Sequence, residues 1–433
     1  MRQPPPEGFD PAYLVTLDEI YHGRWATERK RKIDAFRAVI AETWPDGHPT
    51  RLVHVTGTNG KGSVCHYLAQ GLAATGVTGS WTGPHVFDYA ERIHIGGRPL
   101  DHRVLVEIYR GRVEPLLRRL AAAGPGQGLG FPETGILIAL HAFADAGARW
   151  GMMEVGVGGR YTPLKALPQD ACVVTNVGRD HPVTLGSELW QRALEKTGLV
   201  AADGLLFTAA EGEALGYVVA AGEAEGAEVT VVGEEERLRT ETALGRPAAR
   251  HEASNLALAL EVIRRLEPDL DPGEALAAMD RRLPARFGRP DPGLVVDIAH
   301  NADKVAALAD RLEREMPGRR FVFVVGLTRR RDPLEVFGPL LPLAAEVIVT
   351  GASYAGQDPG DVASTLAPHG SVPVSAVADP REAVAEARGR SKEGVPVVLT
   401  GSGYTIDLAL NGNPFLRHLN GNYGWRARRD DDR

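Results

Sequence analysis

The chain has 433 residues, which at roughly 100–200 residues per domain gives two or three domains with ample cores. Its 49 Lys and Arg against 56 Asp and Glu leave a net charge of −7, which argues against a nucleic-acid binder while leaving room for a locally positive cleft. Cys65 and Cys172 make no disulfide framework and no metal-ligand spacing, and read as small buried hydrophobes; no run of about 18 apolar residues and no apolar leader occurs, so no membrane span is expected and the plain reading is a cytoplasmic protein.

Basic, amphipathic 24–37 reads as a helix with a solvated face. Arg51–Thr56 (RLVHVT) reads as a buried strand, followed by a Gly-rich turn and a helix over Val64–Thr75. A loop is expected over 122–130, then a helix over 135–146 and a strand over 150–155. Strands follow at 171–176 and 204–208, and a helix at 256–266. Pro284–Pro292 (PARFGRPDP) reads as a linker, so domains are expected over 1–288 and 289–433. The second carries strands at 293–298, 321–325, 346–350 and 396–400, with helices between. Strand–helix alternation implies parallel sheets of βαβ units, an α/β class. The charged tail 426–433 reads as a frayed terminus.

The strongest local feature is Val55-Thr56-Gly57-Thr58-Asn59-Gly60-Lys61-Gly62-Ser63, placed between a strand and a helix. Glycines there let backbone N–H groups face a phosphate, and the helix start adds its dipole. Thr58, Asn59, Gly60, Lys61, Gly62 and Ser63 are therefore candidate nucleotide-binding residues, with Lys61 as the point charge and Ser63 or Thr58 as the hydroxyl. The spelling departs from a standard Walker A, because Val55 replaces its first Gly and Gly62 separates Lys61 from Ser63. An ordinary Gly-rich turn is the alternative.

The loop's GTNGKGS resembles the folylpolyglutamate synthase branch of the Mur ligase superfamily, and further pieces agree in order. Trp81–His85 with Glu91–Ile93 resembles that family's TSPH and ERI segments, and Phe131–Thr134 its Phe-Glu segment. Glu154–Arg160 is similar to EVGLGGR, and Thr175–His181 to TNIGLDH. Leu185-Gly186 with Glu195–Gly198, His251 with Asn255, Pro284–Arg286, Asp297–Asn301 (DIAHN) and Thr400–Ser402 complete the series.

The resemblance implies a Mur-ligase-like P-loop ATPase domain with a parallel sheet, plus a smaller Rossmann-like C-terminal domain, with ATP in the cleft between. It implies an ADP-forming carboxylate–amine ligase working through an acyl phosphate, with a small carboxylate and an amino acid such as L-glutamate as partners, acting as a monomer. Phosphoryl transfer needs positioning and charge neutralisation, so ATP and Mg²⁺, as two ions, are the implied cofactors. Lys61, Glu154, His181, Lys196, Arg286 and His300 are the implied catalytic residues. Ser63, Glu154, His181 and Lys196 are the implied metal site, with Lys196 carbamylated; Asn255, Arg286, Asp297, His300 and Asn301 complete the nucleotide site. The bland alternatives are that Glu154 is a strand-end carboxylate paired with Arg160, His181 a structural histidine, Lys196 a surface lysine and Arg286 a solvated linker arginine.

Two positions depart from the family pattern. Gly83 stands where the family has a metal-binding Ser, which leaves Thr82 or a water to substitute. Tyr161–Leu164 replaces a run near the pterin side of the substrate. Three functions follow: glutamate addition to a folate-type acid, the same chemistry on a cell-wall, peptide or natural-product carboxylate, or a nucleotide-binding regulator without turnover.

Overall fold

The computed structural model describes residues 20, 29–123, 129–178, 182–246, 248–280, 287–329, 331–391, 395–418 and 420. The chain forms two compact units, one holding most of the chain before residue 282 and the other 85–89 together with the chain from 282 onward.

The first unit is built on strands β1 (Arg51–Thr56), β2 (Thr78–Trp81), β3 (Ile93–Ile95), β4 (Arg98–Pro99), β5 (Trp150–Glu154), β6 (Ala171–Val174), β7 (Leu205–Thr208) and β8 (Glu228–Val231). Their order is β4-β3-β2-β5-β1-β6-β7-β8. From β2 to β8 the ladder is parallel, while β3 and β4 add an antiparallel edge that the alternation of elements does not announce. Strands β1, β5 and β6 are central and buried almost throughout, so they read as unbroken apolar runs. The exception is His54, fully buried on β1, where Gln169 Nε2 lies 3.0 Å from Nδ1 and burial pushes the imidazole down to about 3, hence neutral.

Helices α1 (Arg29–Thr43), α2 (Lys61–Gly71), α3 (Phe131–Asp145), α4 (Leu189–Thr197) and α5 (Arg250–Leu266) surround this sheet. Helix α3 begins four residues before its expected start, because Pro132 is tolerated in a first turn and Glu133 bonds back to Gly130 N at 2.9 Å. Leu256, Leu260 and Ile263 of α5 share one core with Val64 and Leu68 of α2 and Val53 and Val55 of β1. That packing fixes the helix after β1 relative to the sheet. Cys65 and Cys172 are buried free thiols, and burial raises Cys172 to about 12.

The second unit contains β9 (Gly288–Asp291), β10 (Leu294–Asp297), β11 (Phe321–Gly326), β12 (Ala344–Thr350), β13 (Val374–Ala376) and β14 (Val397–Gly401), in the order β13-β12-β11-β14-β10-β9. All pairs are parallel except β9–β10. The expected linker 284–292 therefore contains an edge strand; Pro290 fits there because an edge strand needs fewer ladder N–H groups. Residues 284–286 lie outside the described residues, as do most of 122–130, residues 24–28 and the tail 426–433. Helices α6 (Ala302–Glu315) and α7 (Gly403–Leu410) follow β10 and β14. Separate apolar cores cover the two sheet faces. Val86 and Phe87 pack on one of them, and the Phe87 carbonyl accepts from Asn411 Nδ2 at 3.1 Å and Asn420 Nδ2 at 3.2 Å. No described helix is long and apolar enough to cross a membrane.

Candidate active site

The chain after β1 turns sharply before α2. Gly57 and Gly60 have φ of 144° and 83°, and Gly60, the residue before the helix, is left-handed. A Cβ on Gly57 would stand 1.9 Å from Thr175 Oγ1, and one on Gly60 would stand 2.5 Å from Asn255 Oδ1. Glycine is thus required at both points by conformation and by space.

The loop is held from the side by the residues after β6. Asn176 O accepts from Thr58 N at 3.0 Å, Asn176 Oδ1 from Asn59 N at 2.9 Å, and Asn59 O from Thr175 Oγ1 at 2.6 Å. The buried Thr58 Oγ1 accepts from Gly178 N at 2.8 Å. Thr58 and Asn59 therefore shape the loop in this conformation, while Lys61 arches back so that Nζ donates to Gly57 O at 2.9 Å and Thr58 O at 3.2 Å. Thr175 and Asn176 are missing from the sequence-derived site residues, although they open the segment that resembles TNIGLDH; the expected strand 171–176 ends at Val174, which leaves both in the turn that holds the loop. Gly62 is buried and Ser63 half-buried in the first turn of α2.

Glu154 ends β5 in register with Val55, one strand away from the loop. Its carboxylate is 7% exposed, and Oε2 accepts from Gly83 N at 2.8 Å. Among the described residues no ion pair joins it to Arg160, whose side chain is exposed. The thiol of Cys65 lies near both charges: burial and then Glu154 raise it, while Lys61 lowers it.

The turn after Glu154 brings the sheet edge to α4. Thr56 Oγ1 donates to Gly158 O at 2.6 Å, and Arg160 N to Glu195 O at 2.8 Å. Gly159 approaches so closely that a Cβ would lie 2.4 Å from Lys196 O. Lys196 is 2% exposed, so the reading of a surface lysine is overturned: α4 turns it inward. Asn255, also buried, reaches the loop from α5, and His251 one turn earlier is exposed.

Lys61, Ser63, Glu154, Lys196 and Asn255 thus belong to the loops and helices around the carboxyl ends of β1, β5 and β6, where ligands bind in open α/β sheets. His181 and Arg286 lie outside the described residues. Among the described residues no group of three or more His, Cys, Asp or Glu is placed to hold a metal ion. The Ser63 hydroxyl and Glu154 carboxylate are nonetheless the hard oxygen donors that Mg²⁺ accepts, and this ion commonly keeps several waters.

Gly83 shows a substitution in space. Arg92 Nη1 lies 2.7 Å from where its Cβ would be, with the guanidinium 5.7 Å from the Trp81 ring and 5.2 Å from the Phe131 ring. Tyr161 is 40% exposed, whereas Thr162 and Leu164 turn inward.

In the second unit, Asp297 ends β10 and Oδ2 accepts from Phe287 N at 2.7 Å. His300 Nδ1 lies 2.8 Å from Ile298 O and Nε2 lies 3.2 Å from Lys304 Nζ. Asn301 caps α6, accepting from Lys304 N at 2.9 Å. Asp297 is in register with Thr400, and Ser402 after β14 caps α7. Asp297, His300 and Asn301 therefore share the carboxyl edge of the smaller sheet; Lys304 was not read from sequence.

Residues 284–403 match the family described as Mur ligase, glutamate ligase domain. The chain is 28% identical over 403 residues to a probable bifunctional folylpolyglutamate synthase/dihydropteroate synthase of Haloferax volcanii, covering 86% of this chain and 47% of that protein, so it spans about half of that relative's length. It is 29% identical over 390 residues to a dihydrofolate synthase/folylpolyglutamate synthase of Mycobacterium tuberculosis, covering 78% of each. The structure of Mycobacterium tuberculosis folylpolyglutamate synthase complexed with ADP aligns with a TM-score of 0.80 at 24% identity, covering 92% of this chain and 97% of that one. E. coli FolC in complex with DHPP and ADP aligns at 0.73 with 21% identity, covering 96% and 98%. The fold is that of these synthases.

Proposed function

We propose that this chain is an ATP-dependent, ADP-forming ligase that adds L-glutamate to a folate-type acid. The observation that carries the reading is the Gly57–Ser63 loop set beside Glu154, Lys196 and Asn255 at one sheet edge, in a chain whose full-length likeness is to folylpolyglutamate and dihydrofolate synthases. A carboxylate oxygen of the acid attacks the γ-phosphorus and ADP leaves. The amine then attacks the acyl carbon, phosphate leaves, and the amine's proton is released.

Lys61, turned over its own loop, swings to the β/γ-phosphates, and Gly60 and Gly62 present N–H groups to them. Thr58 and Asn59 hold that loop, and Asn255 supports it beside the nucleotide base. Ser63, Glu154, His181 and Lys196 are proposed to hold Mg²⁺, as two ions, with Lys196 carbamylated; the metal supplies charge neutralisation on the transferring phosphoryl group. Arg286 adds a cation, and Asp297, His300 and Asn301 complete the nucleotide-binding set. The domains are assigned as 1–288 for ATP binding and 289–433 for the C-terminal ligase domain, and the enzyme as a cytoplasmic monomer.

A second reading, the same chemistry on a different carboxylate, is favoured by the Arg92 guanidinium beside Gly83 and by the exposed Tyr161. Mass spectrometry of products from dihydropteroate, Mg-ATP and L-glutamate separates the two. A product heavier by one glutamyl residue supports the folate reading. Protein that hydrolyses ATP with another acid and amine but leaves dihydropteroate unchanged supports the second.

A further inference from the structure

His300 sits in a hydrogen-bond arrangement that settles which of its atoms can reach a ligand. Nδ1 faces the Ile298 carbonyl at 2.8 Å, and a carbonyl only accepts, so the proton is on Nδ1. Nε2 faces Lys304 Nζ at 3.2 Å, and an ammonium only donates, so Nε2 presents its lone pair. Both ring nitrogens are therefore engaged in this conformation, so His300 serves the nucleotide-binding set through Lys304 rather than by an N–H of its own. Lys304, one helical turn beyond His300, brings an ammonium to the same carboxyl edge of β10 and β14 at which Asp297, Asn301 and Thr400 lie.

We propose that Lys304 is the residue of this edge that contacts an anionic phosphoryl or carboxylate group of the reactants, and that His300 is its positioning residue. The inference rests on the ligase reading above. Nε2 acts as an acceptor that draws the flexible lysine stem over the strand edge, and the Ile298 carbonyl fixes the tautomer that makes this possible. Asn301 fixes the backbone of the same turn through Lys304 N.

The test uses the full chain. Ring-nitrogen NMR of ¹⁵N-histidine-labelled protein, assigned by H300Q, should show His300 with a proton on Nδ1 and a lone pair on Nε2; a proton on Nε2 in the neutral ring would overturn the proposal. Binding of Mg-AMPPNP should weaken about 10- to 100-fold in K304M, the loss of one hydrogen bond to a charged group, and recover to within about 3-fold in K304R. Melting temperature should be unchanged in K304M, which separates loss of a ligand contact from loss of structure. H300Q, which keeps an acceptor for Lys304, should lose less affinity than K304M. Wild-type binding that K304M leaves unchanged contradicts the inference alone, whereas wild-type protein that binds no Mg-AMPPNP contradicts the ligase reading and the inference with it.

Discussion

Among the described residues the Glu154 carboxylate accepts one hydrogen bond, from the Gly83 backbone N–H, in a site that leaves it 7% exposed. A buried carboxylate with so little compensation is costly unless a cation joins it in the working state. Glu154→Gln keeps an acceptor for Gly83 N–H and removes only the charge. We expect Mg²⁺-dependent turnover to fall at least about 100-fold with stability held within about 1 kcal/mol, read by steady-state kinetics and thermal unfolding. Lys61→Met should lower kcat/KM by a similar factor, because its cation is what the phosphates meet. Lys196 makes a different prediction. Incubation with ¹³C-bicarbonate should give a carbamate resonance in the wild type that is absent from Lys196→Ala; its absence from both would remove the carbamylated lysine from the account.

At the scale of elements, the phosphate loop depends on the residues after β6 as much as on its own glycines. Asn176→Ala removes the acceptor of Asn59 N and should raise KM for ATP about 10-fold with a smaller change in kcat, seen in initial rates over an ATP series. Gly60→Ala should destabilise by about 1–2 kcal/mol from the left-handed backbone, and Asn255→Ala in the same chain should restore the packing part alone. Sequence made β1, β5, β6 and β11 legible because both of their faces are buried, so apolar runs reach almost from end to end. Strands β2 (Thr78–Trp81) and β9 (Gly288–Asp291) were not, since their residues carry no apolar periodicity and pairing alone makes them strands. The motif residues of the site were legible by resemblance. Lys304 was not, because it gains its role from a partner that only the fold brings near, and for Asn176 and Arg92, which lie inside motif segments, the partners were what sequence did not show. The attachment of 85–89 to the second unit has the same origin.

At the scale of the molecule, one buried acid should shape stability against pH. Asp407 is 1% exposed, and Oδ1 accepts from Asn411 Nδ2 at 2.7 Å. Burial raises it to about 6 against the lowering effect of Asn411, Asn420 and Arg417, from an ordinary 3.8. Between those values the folded chain holds a proton that the unfolded chain has lost. Stability contributed below about pH 4 is therefore withdrawn as pH rises through about 6, by about 3 kcal/mol. Asp407→Asn keeps the acceptor and should flatten this dependence, gaining more at pH 8 than at pH 5 in denaturant titrations. The molecule's central claim is chemical, and phosphate release from Mg-ATP tests it most directly, using dihydropteroate or tetrahydrofolate with L-glutamate against blanks lacking either partner. Release that requires both the folate and glutamate is the predicted result; release indifferent to both, or none from protein that binds ATP, would contradict it.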